Sequence, residues 1–359
     1  MNNKIVIFTR NKPDETLAQY QRILKLKALF ERAFNDEVII FNTYEDINKI
    51  KLILNTRKRI KEYLNGLDKK VYTFVIDILD PFSISLIRKY AYKHNIKVYI
   101  DIVEEADPKE KKFGILSPSL IMNHYMIRHS VKQNMTVLAI SSYFMDYYSN
   151  KGIKDIYIPN LLDDEDCSSY LVNRSDNKVN FIFAGYPQKK DALDMIVSSL
   201  LTIKKERDDF VLHIAGIDKY DFFKKYPELE NSKKEIESFI TFHGTLTREG
   251  IKGLYYQSDY SIILRDPNML VTKSGFPTKF VESLMYARPV ISNLTSDIGL
   301  YLKDEYNGYI VDSFDVDSLT KVIRKALDNK EKRGEMFVNA LSSAKENFSP
   351  SKYLESLRK

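Results

Sequence analysis

A chain of 359 residues with 44% hydrophobic and 29% charged residues has room for about two globular domains, and it excludes a disordered, fibrous or coiled-coil protein. The net charge of +6 is mildly basic, which suits an anionic ligand or an anionic surface without demanding nucleic acid. Glycine is scarce at 12 residues, and nine of them follow residue 165, so the second half is where the backbone is asked for conformations that favour glycine.

The run Ile5-Val6-Ile7-Phe8 reads as a first strand buried on both faces, not as a signal peptide. Leu17, Tyr20, Leu24 and Ala28 recur at helical spacing. Residues 38–41 then read as a strand, 48–64 as a basic helix, 71–76 as a strand, 83–93 as a helix and 96–102 as a strand. Residues 137–140 form the next strand, followed by Ser141-Ser142 and a Tyr-rich helix, and 156–159 close the half. Such repeated strand–helix units predict a parallel sheet with helices on both faces. Residues 163–178 carry almost no apolar periodicity, which marks a linker, or else a long surface loop within one domain. The pattern then restarts with strands at 179–184, 210–215, 240–242, 260–264, 290–291 and 309–311. The expectation is two doubly wound, Rossmann-like α/β domains. Cys167 is the only cysteine, so no internal disulfide can form, and a reducing, cytoplasmic setting fits. No apolar run reaches the 18 residues that a spanning helix takes.

Gly185, Gly216 and Gly244 each end a predicted strand of the second half. Ligands of open α/β sheets bind beyond the carboxyl ends of the strands, where glycine lets the backbone come close. Ordinary tight turns are the alternative for any one of the three. Gly275-Phe276-Pro277-Thr278-Lys279-Phe280-Val281-Glu282 reads as a loop entering a helix, with Pro277 at its first position. The first-turn N–H groups, with the helix dipole, make an anion site. Glu282 falls roughly 6–8 Å into the helix, about the reach from a diphosphate to a ribose. An exposed glutamate on a capped amphipathic helix is the other reading. Lys189-Lys190, in the turn after Gly185, could reach the same phosphates or simply be solvated.

These stretches resemble the family 4 glycosyltransferases, retaining enzymes of the GT-B fold. The resemblance runs through Phe181-Ile182-Phe183-Ala184-Gly185 with Lys189-Lys190-Asp191, Phe242-His243-Gly244-Thr245-Leu246, and Gly275 through Ser283. It continues at Arg288-Pro289-Val290-Ile291 and Asn307-Gly308-Tyr309-Ile310-Val311, and in outline at Ser141-Ser142-Tyr143 and Ile158-Pro159-Asn160. It implies an acceptor-binding domain over 1–165, a linker over 166–178 and a nucleotide-sugar domain over 179–345, the two domains facing across a cleft. A C-terminal helix over 346–359 is expected to pack back on the first domain. Lys190 is implied to bind the donor diphosphate and Glu282 to hold the ribose, with Gly185, Gly216, Gly244, Thr245, Gly275, Phe276, Pro277, Thr278 and Lys279 around the nucleotide. Ser274 stands where the family has its first Glu, and Tyr186 where it often has an arginine. Arg265 is the candidate replacement cation, or else part of a surface turn with Asp266. Glu104, after the strand 96–102, is the candidate contact for acceptor or donor sugar.

The implied reaction is metal-independent transfer from a nucleotide diphosphate sugar, UDP-sugar favoured, to a saccharide hydroxyl in bacterial surface polysaccharide or glycoconjugate synthesis. Asp315-Val316-Asp317 matches a metal motif but precedes a helix stripe, so it reads as an N-cap. His124 and His129 read as surface or satisfied core histidines. Lys49, Lys51, Arg57, Lys58, Arg59, Lys61, Lys69 and Lys70 interleave with Leu52, Ile53, Ile60 and Leu64. That pattern is either a solvated face or a surface for an anionic membrane, which would suit a polyprenyl-linked acceptor and a peripheral position on the inner face of the plasma membrane. A GT-B nucleotide-sugar 2-epimerase and a non-catalytic GT-B subunit stay open. The basic residues are dispersed and lack stacking aromatics, which argues against nucleic acid.

Overall fold

A computed structural model describes residues 4–15, 17–67, 72–162 and 178–358. The expected linker, apart from Lys178, lies outside the described residues, as do Cys167, Lys69 and Lys70. The described chain forms two units. One holds residues 4–162 together with 274–276 and 349–358; the other holds 178–273 and 277–348.

The first unit is built on β1 (Lys4–Thr9), β2 (Glu37–Asn42), β3 (Tyr72–Ile76), β4 (Lys97–Ile102), β5 (Thr136–Ala139) and β6 (Lys154–Tyr157). They form one parallel sheet in the order β2-β1-β3-β4-β5-β6. Ile5, Val6, Ile7 and Phe8 are all buried, as a strand covered on both faces demands. The last strand starts earlier than the apolar run 156–159 suggests. Lys154 pairs with Thr136, and the ladder ends at Tyr157, two residues before Pro159. The helix Ala18–Phe34 buries Ile23, Leu26, Leu29 and Phe30 against β-strand side chains including Ile5, Ile7 and Val75. Tyr353 and Leu357, from the end of the chain, complete this core. Arg22, on the same helix, makes a two-pronged ion pair with Asp101 at 2.7 Å for each bond and donates to the carbonyls of Ile158 and Pro159.

The second unit repeats the plan with β7 (Val179–Ala184), β8 (Phe210–Ala215), β9 (Ile240–Gly244), β10 (Tyr260–Ile263), β11 (Val290–Asn293) and β12 (Gly308–Val311). Its parallel order is β12-β11-β10-β7-β8-β9. From β7 the chain steps one way to β8 and β9, and from β10 the other way to β11 and β12. The crevice where the direction reverses therefore opens beyond the carboxyl ends of β7 and β10, the place where doubly wound sheets take ligands. In the first unit the corresponding reversal lies between β1 and β3.

Candidate active site

The turns that follow β7 and β10 build the walls of the second unit's crevice. Gly185, directly after β7, takes φ 99°, and Gly216, directly after β8, takes φ 108°, both in the left-handed region. A Cβ on Gly216 would collide with the backbone of Gly185 and Tyr186, so these two turns are in contact through backbone alone. Gly185 N–H donates to the Ala215 carbonyl and Gly216 N–H to the Gly244 carbonyl, which ties three consecutive strand ends together. Gly244 is the last residue of its strand rather than the first beyond it, and Thr245 follows it on the exposed surface.

The turn after β7 is then stitched to the turn after β10. Ala192 N–H donates to the Leu264 carbonyl and Asp266 N–H to the Lys190 carbonyl, each at 3.0 Å, on either side of an antiparallel bridge between Asp191 and Arg265. Arg265 is buried, so the surface-turn reading fails, and its backbone is held on both sides by the Asn293 side chain. Lys279 Nζ donates to Asp191 Oδ1 at 2.8 Å and lies 4.5 Å from the centre of the Phe183 ring. Burial pushes the Asp191 carboxyl up, but Lys279, Arg265 and the Gln188 N–H outweigh it, and the group is held below the ordinary value. Asp191 therefore orients a cation at the mouth of the crevice. The sequence places Lys279 there for its backbone and carries no sign of the buried partner of its side chain.

Two helices start at this place, Leu193–Lys204 and Thr278–Met285, and neither has a side-chain cap. Elsewhere Asn48, Asp80, Asp218, Thr247 and Asp315 cap their helices, while the helices Ala18–Phe34, Pro118–Tyr125 and Ser142–Ser149 also lack a side-chain cap. Asp315 accepts from the Ser318 N–H at 2.7 Å, the N-cap role that its position predicts. Pro277 is itself the N-cap residue, one position earlier than expected. Lys279 Nζ, on the second residue of one of these helices, bonds Asp191, two residues before the other begins. The two uncapped N-termini, Lys190, Arg265 and Lys279 thus gather at one crevice, which can accept a multiply charged anion. Glu282 sits one turn beyond Thr278, about 6 Å along the axis and on the same helix face. It is half-buried, and its charge adds to burial in raising the Tyr255 hydroxyl.

The expected donor loop divides at Pro277: Gly275 and Phe276 group with the first unit. Asn160 Nδ2 donates to the Phe276 carbonyl at 2.9 Å, and Ser141 Oγ donates to the Ser274 carbonyl. Ser274 Oγ accepts from the Glu105 N–H at 2.9 Å. Glu104 and Glu105 follow β4 in the first unit, with Glu104 half-buried and Glu105 buried. Glu105 accepts from Arg128 at 2.7 and 3.1 Å and from the Tyr143 hydroxyl at 3.1 Å. Burial and the Glu105 carboxylate push the Tyr143 hydroxyl up to about 12. His124 is satisfied by the Ala106 carbonyl at 2.9 Å. Sequence reasoning singled out Glu104 and passed over Glu105. The signal that could have found it is the neighbouring Ser141-Ser142-Tyr143, whose serine and tyrosine both reach this cluster.

The family model for glycosyl transferases group 1 matches residues 172–342. No curated protein matches the chain. Among solved structures, sucrose-phosphate synthase from Thermosynechococcus elongatus superposes with a TM-score of 0.75 at 13% identity, over 99% of this chain and 98% of that one. HepE of Anabaena, solved in complex with UDP and glucose, gives 0.68 at 12% identity over 99% and 98% of the two chains. The lipopolysaccharide outer core galactosyltransferase WaaB, in its apo form, gives 0.66 at 14% over 99% and 98%. At such identities the likeness speaks for the fold, and the family match speaks for the second unit. The chain thus has the GT-B fold, and just under half of it, residues 172–342, is similar to the glycosyl transferases group 1.

Proposed function

We propose that the protein is a retaining hexosyltransferase that moves a sugar from a UDP-sugar to a hydroxyl of a saccharide acceptor. The observation that carries this reading is the switch-point crevice, where two uncapped helix N-termini and Lys190, Arg265 and Lys279 gather. Such a site stabilises the charge that develops on a leaving diphosphate without reorganising at the moment of reaction. Glu282 accepts hydrogen bonds from the ribose hydroxyls. The bond between the anomeric carbon and the phosphate oxygen breaks, the acceptor oxygen takes its place on the same face, and the acceptor proton passes to a donor phosphate oxygen. In this reading no protein nucleophile and no divalent metal take part. Binding of UDP and glucose by HepE supports the choice of UDP. WaaB, named as a lipopolysaccharide outer core galactosyltransferase, supports an acceptor in surface polysaccharide or glycoconjugate synthesis. The basic helix Lys49–Asn65 supports a polyprenyl-linked form of that acceptor, met at the inner face of the plasma membrane.

The test uses two substitutions and two readouts. Lys190→Met is expected to lower kcat/KM at least about a hundredfold, as loss of an electrostatic stabiliser does. Glu282→Gln is expected to weaken UDP binding by about tenfold or more, the effect of losing hydrogen bonds to a charged group. UDP at 100 times its Kd should stabilise the wild type by about 2.7 kcal/mol in thermal denaturation. Wild-type rates and unchanged UDP stabilisation in both variants would sink the assignment, and conversion of the nucleotide sugar with no acceptor present would replace it with an epimerase.

A further inference from the structure

Large apolar side chains are exposed unevenly over the first unit. Phe113, Ile115, Leu116, Ile121 and Tyr125 are each between 54% and 75% exposed, all within the connection from β4 to β5. Ile121 and Tyr125 lie four residues apart on the outward face of the helix Pro118–Tyr125, whose Leu120 points into the protein. Phe113, Ile115 and Leu116 belong to the turn that leads into it. Ile50 and Leu54, in the first turns of the helix Lys49–Asn65, and Phe82, in the first turn of the helix Pro81–Lys93, are exposed as well. Every strand of this sheet runs the same way, so the residues that follow β2, β3 and β4 emerge at one edge. The three crossovers step in one direction and, being right-handed, lie on one face. These side chains share one edge and one face, while Tyr92, 77% exposed, stands at the far end of the helix Pro81–Lys93 and outside the group; exposed apolar residues gathered in this way mark an interaction surface.

The charge around them is mostly positive. Residues 109–132 hold Lys109, Lys111, Lys112, Arg128 and Lys132 against a single acid, Glu110. The helix Lys49–Asn65 holds Lys51, Arg57, Lys58, Arg59 and Lys61 against Glu62. An apolar ridge rimmed by lysines and arginines is complementary to the headgroup region of an anionic bilayer: the ridge enters the acyl boundary while the cations meet lipid phosphates. We propose that this edge of the first unit, led by Phe113, Ile115, Leu116 and Ile121, docks on an anionic lipid surface. The docking face is then centred on the β4–β5 connection, and the basic helix contributes its first turns. The proposal deepens the reading of a lipid-linked acceptor and rests on that reading for its purpose. Vesicle binding is measured without nucleotide or acceptor, so it fails or holds separately from the donor site.

The full chain is co-sedimented with phosphatidylcholine vesicles, with and without about one third phosphatidylglycerol. The wild type is expected to bind the anionic vesicles at least about tenfold more tightly than the neutral ones. The exposed pair Ile115→Asp/Leu116→Asp is expected to lose about tenfold or more of that binding, and Lys111→Gln/Lys112→Gln to weaken it and its salt dependence. Both variants should keep the wild-type thermal shift with UDP, which shows that they are folded. Equal binding to neutral vesicles, or binding untouched by either pair, overturns the proposal. A wild-type dimer in sedimentation velocity that the aspartate pair dissociates also overturns it, because a second copy then covers this surface.

Discussion

Asp77 ends up in an unusual place for a carboxylate. It lies just past β3, at the reversal point of the first sheet, fully buried and taking hydrogen bonds from the Thr9 hydroxyl and the Asn11 amide at 2.7 Å each. Burial, then the nearby Asp101 charge, push its pKa from 3.8 up to about 7. The native state therefore holds the proton more tightly than the unfolded chain. Asp77 makes no demand on stability below its ordinary value, and it costs progressively more as pH rises from there to about 7. Asp77→Asn keeps an oxygen for Thr9 and Asn11 and carries no charge. Relative to wild type it is expected to be more stable at pH 8 by up to a few kcal/mol, an advantage that shrinks towards pH 4. Urea denaturation of both proteins across that range checks this; a pH-independent difference would contradict it. In the second unit Asp191 shows the opposite outcome of the same physics: two cations nearby hold a buried carboxyl down. What distinguishes the two aspartates is the company that the fold brings to them, from residues 24 and 88 positions away, and no local pattern in the sequence records it.

At the scale of elements, most of the architecture follows from runs and stripes. Each strand of both sheets overlaps an apolar run read directly from the sequence, because a strand buried on both faces cannot alternate polar residues. The boundaries that moved did so for reasons outside the run itself. The sixth strand is set by its ladder with β5 and by Pro159, and the helix at 278 starts after Pro277. The end of the chain is a case where the element is short and its partners decide everything. The helix Leu354–Arg358 has five residues, too few to be stable alone, yet Leu357 is fully buried. Its carbonyl accepts from the Tyr99 hydroxyl at 3.2 Å, and Arg358 donates to the Ala33 carbonyl at 2.7 Å. Leu357→Ala is expected to destabilise the first unit by about 2–5 kcal/mol, while Leu357→Met should cost less than about 1.5 kcal/mol. The check is the denaturation midpoint of the first unit, and equal midpoints for the two variants would show that this helix is not part of its core.

At the scale of the whole molecule, two units of similar plan have different demands on their sequence. Only the second has glycine at three consecutive strand ends, two uncapped helices and clustered cations at its reversal point. At its own reversal point the first buries Thr9, Asn11 and Asp77, as the second buries Asp191 and Arg265. Hydrogen exchange with and without UDP should resolve the difference. Protection is expected around residues 185–191 and 277–283, and none in β1 to β6; equal protection in both sheets would show that the nucleotide is held elsewhere. The sequence by itself determined the α/β class, the twelve strands and the glycines at the ends of β7, β8 and β9, because these depend on runs, helical spacing and conformations that favour glycine. Only the tertiary structure decided the strand order that puts β7 beside β10. With that order came the burial of Arg265, the pairing of Asp191 with Lys279 and the choice of Glu105 over Glu104 as the buried carboxylate. Hydrogen bonds and ion pairs between residues far apart in the chain are settled by which elements become neighbours, and periodicity within one element carries no information about that.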